Sequence, residues 1–421
     1  MPDRLFEFVN PWTTPLALVG AIVAAAWVCR VRGRRLALVA AVAAASVGFW
    51  QAWKAGPPNG LLDLQIYTNS ARAWLDGGSI YDYRAPVFNL SATYPPIGPL
   101  LFAVFTPFTA DGREVVFTSL SLAALFGCAW LVAGMTRIDE SERLTWAAWA
   151  FAASTVTIPV WITLRQGQIN IIIWLLVLVD LDAIRRNARW TGVALGLATA
   201  IKLIPGLFIV WSAATRRWWT TLRAVAALVV ATAIGWALAP ADSRRYWTDL
   251  LWHSDRIGSL EDARNNSSLG ILARLLEPGP LRTGLWLLVV VVVLSAALIR
   301  SVRASRAGDL LAVAAIVGCS SVVISPISWT HHLGFLLVAL AAFVVSARTR
   351  WSLVLCAAAW IFLVEPGGHG DSAFSSTIRG CLAVLAVFTT PIRRIDPSGS
   401  DGDDQTETTP RSLETKSALP S

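Results

Sequence analysis

Apolar residues in this chain come in long unbroken runs rather than in stripes. Runs near 13–29, 36–53, 115–134, 144–162, 168–184, 191–212, 220–239, 283–300, 308–325, 331–347, 350–364 and 374–391 hold few charges. About 20 such residues cross the hydrocarbon of a bilayer. A shorter run, 97–109, follows a Tyr94-Pro95-Pro96 corner. A helix that is apolar all round has oily surroundings on every side, whether protein or lipid. The pattern therefore predicts an all-α polytopic membrane protein with about 11–13 membrane helices, some of them broken or re-entrant. Residues 1–391 read as a single transmembrane domain. Residues 392–421, rich in Asp, Ser, Thr and Pro and without aromatics, read as a disordered cytoplasmic tail.

The positions of the charges orient the bundle. Arg30, Arg32, Arg34 and Arg35, then Arg185, Arg186 and Arg189, then Arg216, Arg217 and Arg223, then Arg300, Arg303 and Arg306 each cap an apolar run, which is the positive-inside signature. With these inside, the segments 54–96 and 240–282 fall outside. Both carry amphipathic stretches with aromatics (Tyr67, Trp74, Tyr81 and Tyr83; Tyr246, Trp247 and Trp252) that suit helices lying along the interface. If 97–109 and 191–212 both crossed, Arg185–Arg189 would face outward; if both are broken or re-entrant, every cluster stays inside. The second arrangement is preferred, because 97–109 is short and 191–212 has Lys202 and Pro205 at its centre. It also places Arg165, Gln166 and Gln168 on the outer side.

Composition removes whole classes of function. Of 421 residues, 55% are apolar and only 15% charged, with a mean hydropathy of +0.57; soluble domains carry about 25% charge. A soluble enzyme, a nucleic-acid-binding module and a disordered scaffold are excluded. The net charge of +8 then reports topology, with anionic lipid headgroups as its counter-charge. Cys29, Cys128, Cys319, Cys356 and Cys381 lie in or beside apolar runs with no close pair, so they read as small buried residues rather than a disulfide framework or zinc site. The first run lacks a preceding basic pair and a following small-residue cleavage site, so it is expected to be retained.

A few polar residues stand out against this background. Asp63, in Leu62-Asp63-Leu64, reads either as a helix N-cap or surface charge, or as a general base whose proton affinity rises near a low-dielectric surface. The proline corner holds Tyr94 as a rigid aromatic near it. Gln166, Gln168 and Asn170 serve either interhelical hydrogen bonds or the hydroxyls of a sugar. Lys202, one of three lysines among 35 basic residues, either snorkels to the surface or meets a phosphate. His331 and His332 point to different sides of a helix and make a poor chelating pair. A histidine donating to a phosphate, or orienting a carboxylate, fits better. Asn265 and Asn266 offer spare hydrogen-bonding capacity before an N-cap at Ser267 or Ser268. No metal-ligand spacing occurs near either outer loop.

Seven pieces of the chain, Asp63–Tyr67, Gly77–Tyr81, Thr93–Pro96, Gln166–Asn170, Gly196–Pro205, Asn265–Leu269 and Ser325–His332, resemble in order the polyprenyl-phosphate-mannose-dependent α-(1→2)-mannosyltransferases of actinobacteria, glycosyltransferase family 87 of the GT-C superfamily. The resemblance covers roughly residues 60–335. It implies a GT-C-type helical bundle in the cell membrane, with the active site on the extracytoplasmic side. The reaction implied is an inverting transfer from polyprenyl-phosphate-mannose to a glycolipid or mannan acceptor, with no metal and no cofactor. Asp63 falls on the family's early acid and would be the base, and its later histidine falls on His331 or His332. Lys202, Arg165 and Arg264 are further candidates for the donor phosphate. Tyr67, Tyr94, Gln166, Gln168, Asn170, Asn265, Asn266 and Trp329 are candidates for sugar or acceptor. One departure is that two apolar runs precede Asp63, where the superfamily commonly has one helix.

Two rival readings follow. A polyprenyl-phosphate-arabinose-dependent arabinosyltransferase is the alternative within the family. A secondary transporter is the alternative outside it, but it predicts an inverted repeat, and none is visible. A monomer working among membrane lipids, with no nucleic-acid partner, is expected.

Overall fold

The computed structural model describes residues 33–54, 61–86, 89–136, 138–364 and 372–395. The first apolar run with Cys29, Arg30 and Arg32, and the tail beyond residue 395, lie outside the described residues. Every regular element described is helical. In order these are α1 (Arg34–Lys54), α2 (Leu62–Leu75), α3 (Ile97–Leu101), α4 (Ala110–Gly134), α5 (Glu140–Thr155), α6 (Ile158–Gln166), α7 (Asn170–Arg185), α8 (Val193–Ile201) and α9 (Gly206–Ala214). They are followed by α10 (Trp218–Leu238), α11 (Pro240–Thr248), α12 (Ser268–Leu275), α13 (Pro280–Arg306), α14 (Leu310–Ile324), α15 (Gly334–Ser346), α16 (Arg350–Val364) and α17 (Ala373–Thr389).

Among the described residues, α1 over Arg34–Trp53, together with α4, α10 and α13, is long and apolar enough to cross a bilayer. Only 17% of the apolar window of α10 and of α13 is covered by protein, leaving side chains such as Leu222, Val229, Leu288 and Val291 exposed. Apolar faces of that extent are stable only in lipid. The chain is a multi-pass membrane protein. At the bundle's centre α14 is the opposite case: Leu311, Ala312, Val313, Ala314, Ala315 and Ile316 are all 0% exposed.

Several predicted runs are shortened by breaks. The run 144–162 becomes α5 and α6, bent by 72°. Pro159 sits in the first turn of α6, where its missing N–H costs nothing, and the residues before it are pushed toward extended backbone. The helices α14 to α17 run 15, 13, 15 and 17 residues, shorter than a straight 30 Å crossing requires.

The run 191–212 is a hairpin. Thr191 meets Thr220 (3.0 Å) and Ser212 meets Thr221 (2.8 Å), so both ends of the α8–α9 pair lie beside the first turn of α10. Lys202 is at the tip. Close packing makes this possible: Gly192 has φ +99°, and a Cβ there would lie 2.1 Å from the Thr220 carbonyl oxygen. Buried Asp180 closes the start of α8 by accepting from the N–H groups of Gly192 (2.6 Å) and Leu195 (2.8 Å). The run 97–109 does not cross either. It is α3 plus a 3₁₀ turn, Phe102–Phe105, after which Thr106 O accepts from Arg72 of α2 (2.6 Å). Both expectations of broken, re-entrant segments hold.

The two ends of the bundle differ. At one, Arg393 pairs with buried Asp309 (Nη2 to Oδ1, 2.7 Å) and donates to Met135 O (3.2 Å), while Arg217 reaches Ser305 (3.3 Å). At the other, the two large loops clasp each other. Asp242 accepts from Ser79 Oγ (2.5 Å) and Ile80 N (3.0 Å), and Arg245 pairs with Asp82 (2.6 Å). Arg256 donates to the carbonyls of Ala92 and Thr93, 3.1 Å each. Cys128, Cys319 and Cys356 are buried free thiols, as expected, but Cys381 is exposed, because it lies on the outward face of α17.

Candidate active site

The site is assembled where α2 meets the corner between α6 and α7. Leu61, in the left-handed region at φ 46°, starts α2 without a side-chain cap, and its N–H donates to Arg165 O (3.2 Å). Gly167 ends α6 at φ +65°, with the place of a Cβ only 2.7 Å from Leu64 Cβ. A residue with a side chain would hold the corner off α2, so glycine lets the turn that carries Gln168 pack against the start of α2. Asp63 is therefore not a helix cap. It stands in the first turn of α2, half-buried. Burial pushes its carboxyl pKa up to about 6, against the opposing pull of the nearby Gln168 side chain and of the Lys202 charge. A carboxylate with this affinity is ionised at neutral pH yet basic enough to take a proton.

Beyond Gln168 the cluster continues. Gln168 Oε1 accepts from Tyr94 Oη (2.5 Å), and the Tyr94 ring stacks on Tyr67 with centroids 4.4 Å apart. Lys202 does not snorkel away. Its Nζ donates to Asn170 Oδ1 (2.8 Å) and Tyr94 Oη (3.4 Å), and lies 3.0 Å from His332 Nε2. Asn170 in turn donates to His331 O (2.9 Å). The break between α8 and α9 aims the lysine into this group, since a continuous helix would carry it past.

His332 and His331 occupy a 3₁₀ turn, Thr330–His332, before α15. Burial, followed by the Lys202 charge, holds both well below the usual histidine value, so both are neutral at physiological pH. Trp329 N–H donates to His332 Nδ1 (3.2 Å) while the lysine faces Nε2. A neutral imidazole has one acceptor for two approaching donors. An anion entering beside Lys202 and His332 relieves that mismatch.

Other sequence candidates lie elsewhere or are already committed. Asn265 and Asn266 are both 0% exposed and have no spare capacity. Asn265 Oδ1 accepts from Ser267 N (3.1 Å) and Ser328 N (3.0 Å), and its amide donates to Leu260 O and Pro326 O. Asn266 donates to Arg264 O, Ser328 O and Thr330 Oγ1. The expected polyol role is replaced by a structural one: these amides lock the second loop to the histidine turn, and Ser267 is the N-cap (Gly270 N to Oγ, 2.9 Å). Arg264 forks onto Asp262 (Nη2 to Oδ2, 2.5 Å) and lies over Trp329 at 5.6 Å, so its charge is already balanced. The Arg165 guanidinium lies over Trp161 at 5.2 Å. Gln166 Oε1 is buried with no hydrogen-bond partner among the described residues. Trp329 is half-buried and packs on Gly258.

Sequence reasoning missed Arg379. Wholly buried in α17, it donates to Asn266 Oδ1 (3.4 Å) and Ser376 Oγ (3.2 Å), bracing the loop that holds the histidines. A lone arginine inside the apolar run 374–391 was the available signal.

Fold and site together define an integral membrane protein with a cluster of titratable and polar side chains, Asp63, Tyr94, Lys202 and His332, at one end of its helical bundle. The chain belongs to glycosyltransferase family 87, which it matches over residues 92–326. Two relatives called polyprenol-phosphate-mannose-dependent alpha-(1-2)-phosphatidylinositol mannoside mannosyltransferase are each 34% identical. One, from Mycobacterium tuberculosis, aligns with 64% of this chain and 67% of its own length. The other, from Mycolicibacterium smegmatis, aligns with 73% and 76%. A phosphatidylinositol pentamannoside mannosyltransferase of the same donor dependence, also from Mycolicibacterium smegmatis, is 32% identical over 67% and 69%. No solved structure matches the chain.

Proposed function

We propose that this protein transfers mannose from polyprenyl-phosphate-mannose to a phosphatidylinositol mannoside, forming an α-(1→2) bond with inversion. The observation that carries the reading is Asp63, a half-buried acid of raised proton affinity beside the cluster in which Tyr94 joins Gln168 to Lys202 and Lys202 meets His332. Asp63 takes the proton of the acceptor hydroxyl and the oxygen attacks the anomeric carbon. The bond from that carbon to the phosphate oxygen breaks, and polyprenyl phosphate leaves with the electron pair. Phosphate is an acidic leaving group, so the opposite side of the site needs donors rather than a carboxylic acid. Lys202 and neutral His332 supply them, and Gln166 and Trp329 remain to contact sugar. Positioned base catalysis contributes about 10²–10⁴ in rate, and oriented donors as much again.

The mannose donor and glycolipid acceptor are those named for the relatives at 34% identity, which favours mannose over arabinose. The arginine clusters of the opposite end, read by the positive-inside rule, support a site on the outer face of the cell membrane. The test is purified full-length protein in lipid nanodiscs with labelled polyprenyl-phosphate-mannose and phosphatidylinositol mannosides. Expected is an α-(1→2)-mannosylated product whose formation requires Asp63. Transfer of arabinose instead, or another linkage, would overturn the assignment.

A further inference from the structure

The three polar atoms around Lys202 Nζ have their roles fixed by their other hydrogen bonds. The Asn170 amide donates to His331 O (2.9 Å), so its Oδ1, 2.8 Å from Nζ, is an acceptor. Tyr94 gives its proton to Gln168 Oε1 (2.5 Å), so its Oη, 3.4 Å from Nζ, is an acceptor as well. His332 is the exception. Trp329 N–H donates to its Nδ1 (3.2 Å), and a neutral imidazole that accepts at Nδ1 carries its proton on Nε2. That N–H faces Nζ at 3.0 Å. Two acceptors and one donor match an amine, which offers two N–H groups and a lone pair. An ammonium offers three N–H groups and sets one of them against the imidazole proton.

We propose that Lys202 stands as a neutral amine until the donor phosphate arrives, and takes up one proton from water as that phosphate binds. Its third N–H and the His332 Nε2–H then converge on the anion. This rests on the phosphate role given to Lys202 and His332 above. The device avoids burying an unpaired ammonium, which is costly, and makes the charge only where its counter-ion lies. Burial brings the Lys202 pKa down to about 7, against the Asp63 charge, which raises it. The titratable and charged groups that face the lysine are Asp63 of α2, Tyr94 at the proline corner, and His331 and His332 in the 3₁₀ turn, with Arg264 acting on His331. Both histidines are neutral, and burial keeps the proton on Tyr94. Asp63, near 6, is largely ionised once the lysine begins to lose its proton.

The sign of the linkage follows. An anion in contact raises the lysine value by about 1–3 units, so donor affinity is level below about pH 7 and falls as pH rises above it. The fall is about tenfold per unit, and about 10- to 10³-fold in all.

The chain has three lysines, Lys54, Lys202 and Lys416. Full-length Lys54→Arg/Lys416→Arg protein, made with lysine ¹³C-labelled at Cε, therefore reports Lys202 alone by NMR. In nanodiscs of zwitterionic lipid its signal should titrate near pH 7 rather than at the ordinary lysine value of about 10.4. At about pH 8, polyprenyl-phosphate-mannose added without acceptor should carry the signal to the ammonium position, while polyprenol should leave it unmoved. A signal that stays at the ammonium position through this range overturns the proposal. So does one that the donor leaves unmoved, or that polyprenol moves as far.

Donor affinity is the second readout, since a phosphodiester does not itself titrate near neutrality. Lys202→Arg keeps a permanent charge, so its donor binding should be weaker at low pH but lose the slope above pH 7. Equal slopes in the two proteins would also overturn the proposal. A lysine that becomes charged on donor addition, in protein that transfers no mannose, removes the proposed activity and upholds the proton coupling.

Discussion

Asn170 and Asn265 are both buried amides at the same end of the bundle, and they do opposite work. Asn265, with Asn266, sits in a closed block. Its hydrogen bonds go to the backbone of residues 260–267 and 326–328, and Arg379 braces the block from α17. Asn170 sits in an open cluster whose members are titratable or mismatched: half-buried Asp63, an ammonium, and an imidazole approached by two donors. Polar groups are costly at this depth, so a protein keeps them either by satisfying every one or by leaving them for a ligand. The second loop follows the first course and the Asp63 cluster the second.

Substitutions can break or sharpen that contrast. The largest effect is expected from Asp63→Asn, which keeps shape and hydrogen bonding but removes the base. Transfer should drop at least about 10²-fold in protein that still purifies as a folded monodisperse species. Near-normal turnover would remove Asp63 from its role. In the wild type, kcat/KM should decline as pH falls through about 6, since the base works only when ionised. The histidines should add no limb of their own between pH 6 and 8, because both are neutral throughout that range.

His332→Ala comes next, with a loss of about 10–10²-fold in kcat from the missing donor beside Lys202. His331→Ala should cost less activity and more stability, because the residue is buried, 6% exposed, and it is its backbone carbonyl that holds Asn170. Equal effects would mean that the turn does not single out one histidine. Asn265→Ala should act through stability. It leaves the N–H groups of Ser267 and Ser328 without a partner, about 2–3 kcal/mol, seen as a lower thermal midpoint with transfer per folded molecule nearly kept. Arg264→Gln should do least. A half-exposed pair with Asp262 is worth about 1 kcal/mol or less, and a change in donor KM beyond about threefold would restore Arg264 as a phosphate ligand.

Much of the architecture was legible because hydropathy and arginine placement are local. The hairpin at 191–212 was readable from Lys202 and Pro205 together with the charge rule. The failure of 97–109 to cross was readable from its length. The bend at Val156-Thr157-Ile158 was not, since an apolar run looks continuous when a proline lies inside it. In the site, Asp63, Lys202 and the histidine pair were visible as polar residues in oily surroundings. Asn265 and Asn266 looked the same and meant something else, because several of the groups that consume them, on Pro326, Ser328 and Thr330, come from about 60 residues away.

Hydrophobic length and charge asymmetry determined by themselves that this chain lives in a bilayer, which end carries its arginines, and which few residues are too polar to be there without cause. Those quantities add up residue by residue, whatever the neighbours. Whether a given polar group is satisfied or waiting is a property of pairs. Only the packing of α2 against the Gly167 corner, and of the α8–α9 tip against the histidine turn, decided which donors meet which acceptors and left Asp63 with its raised proton affinity.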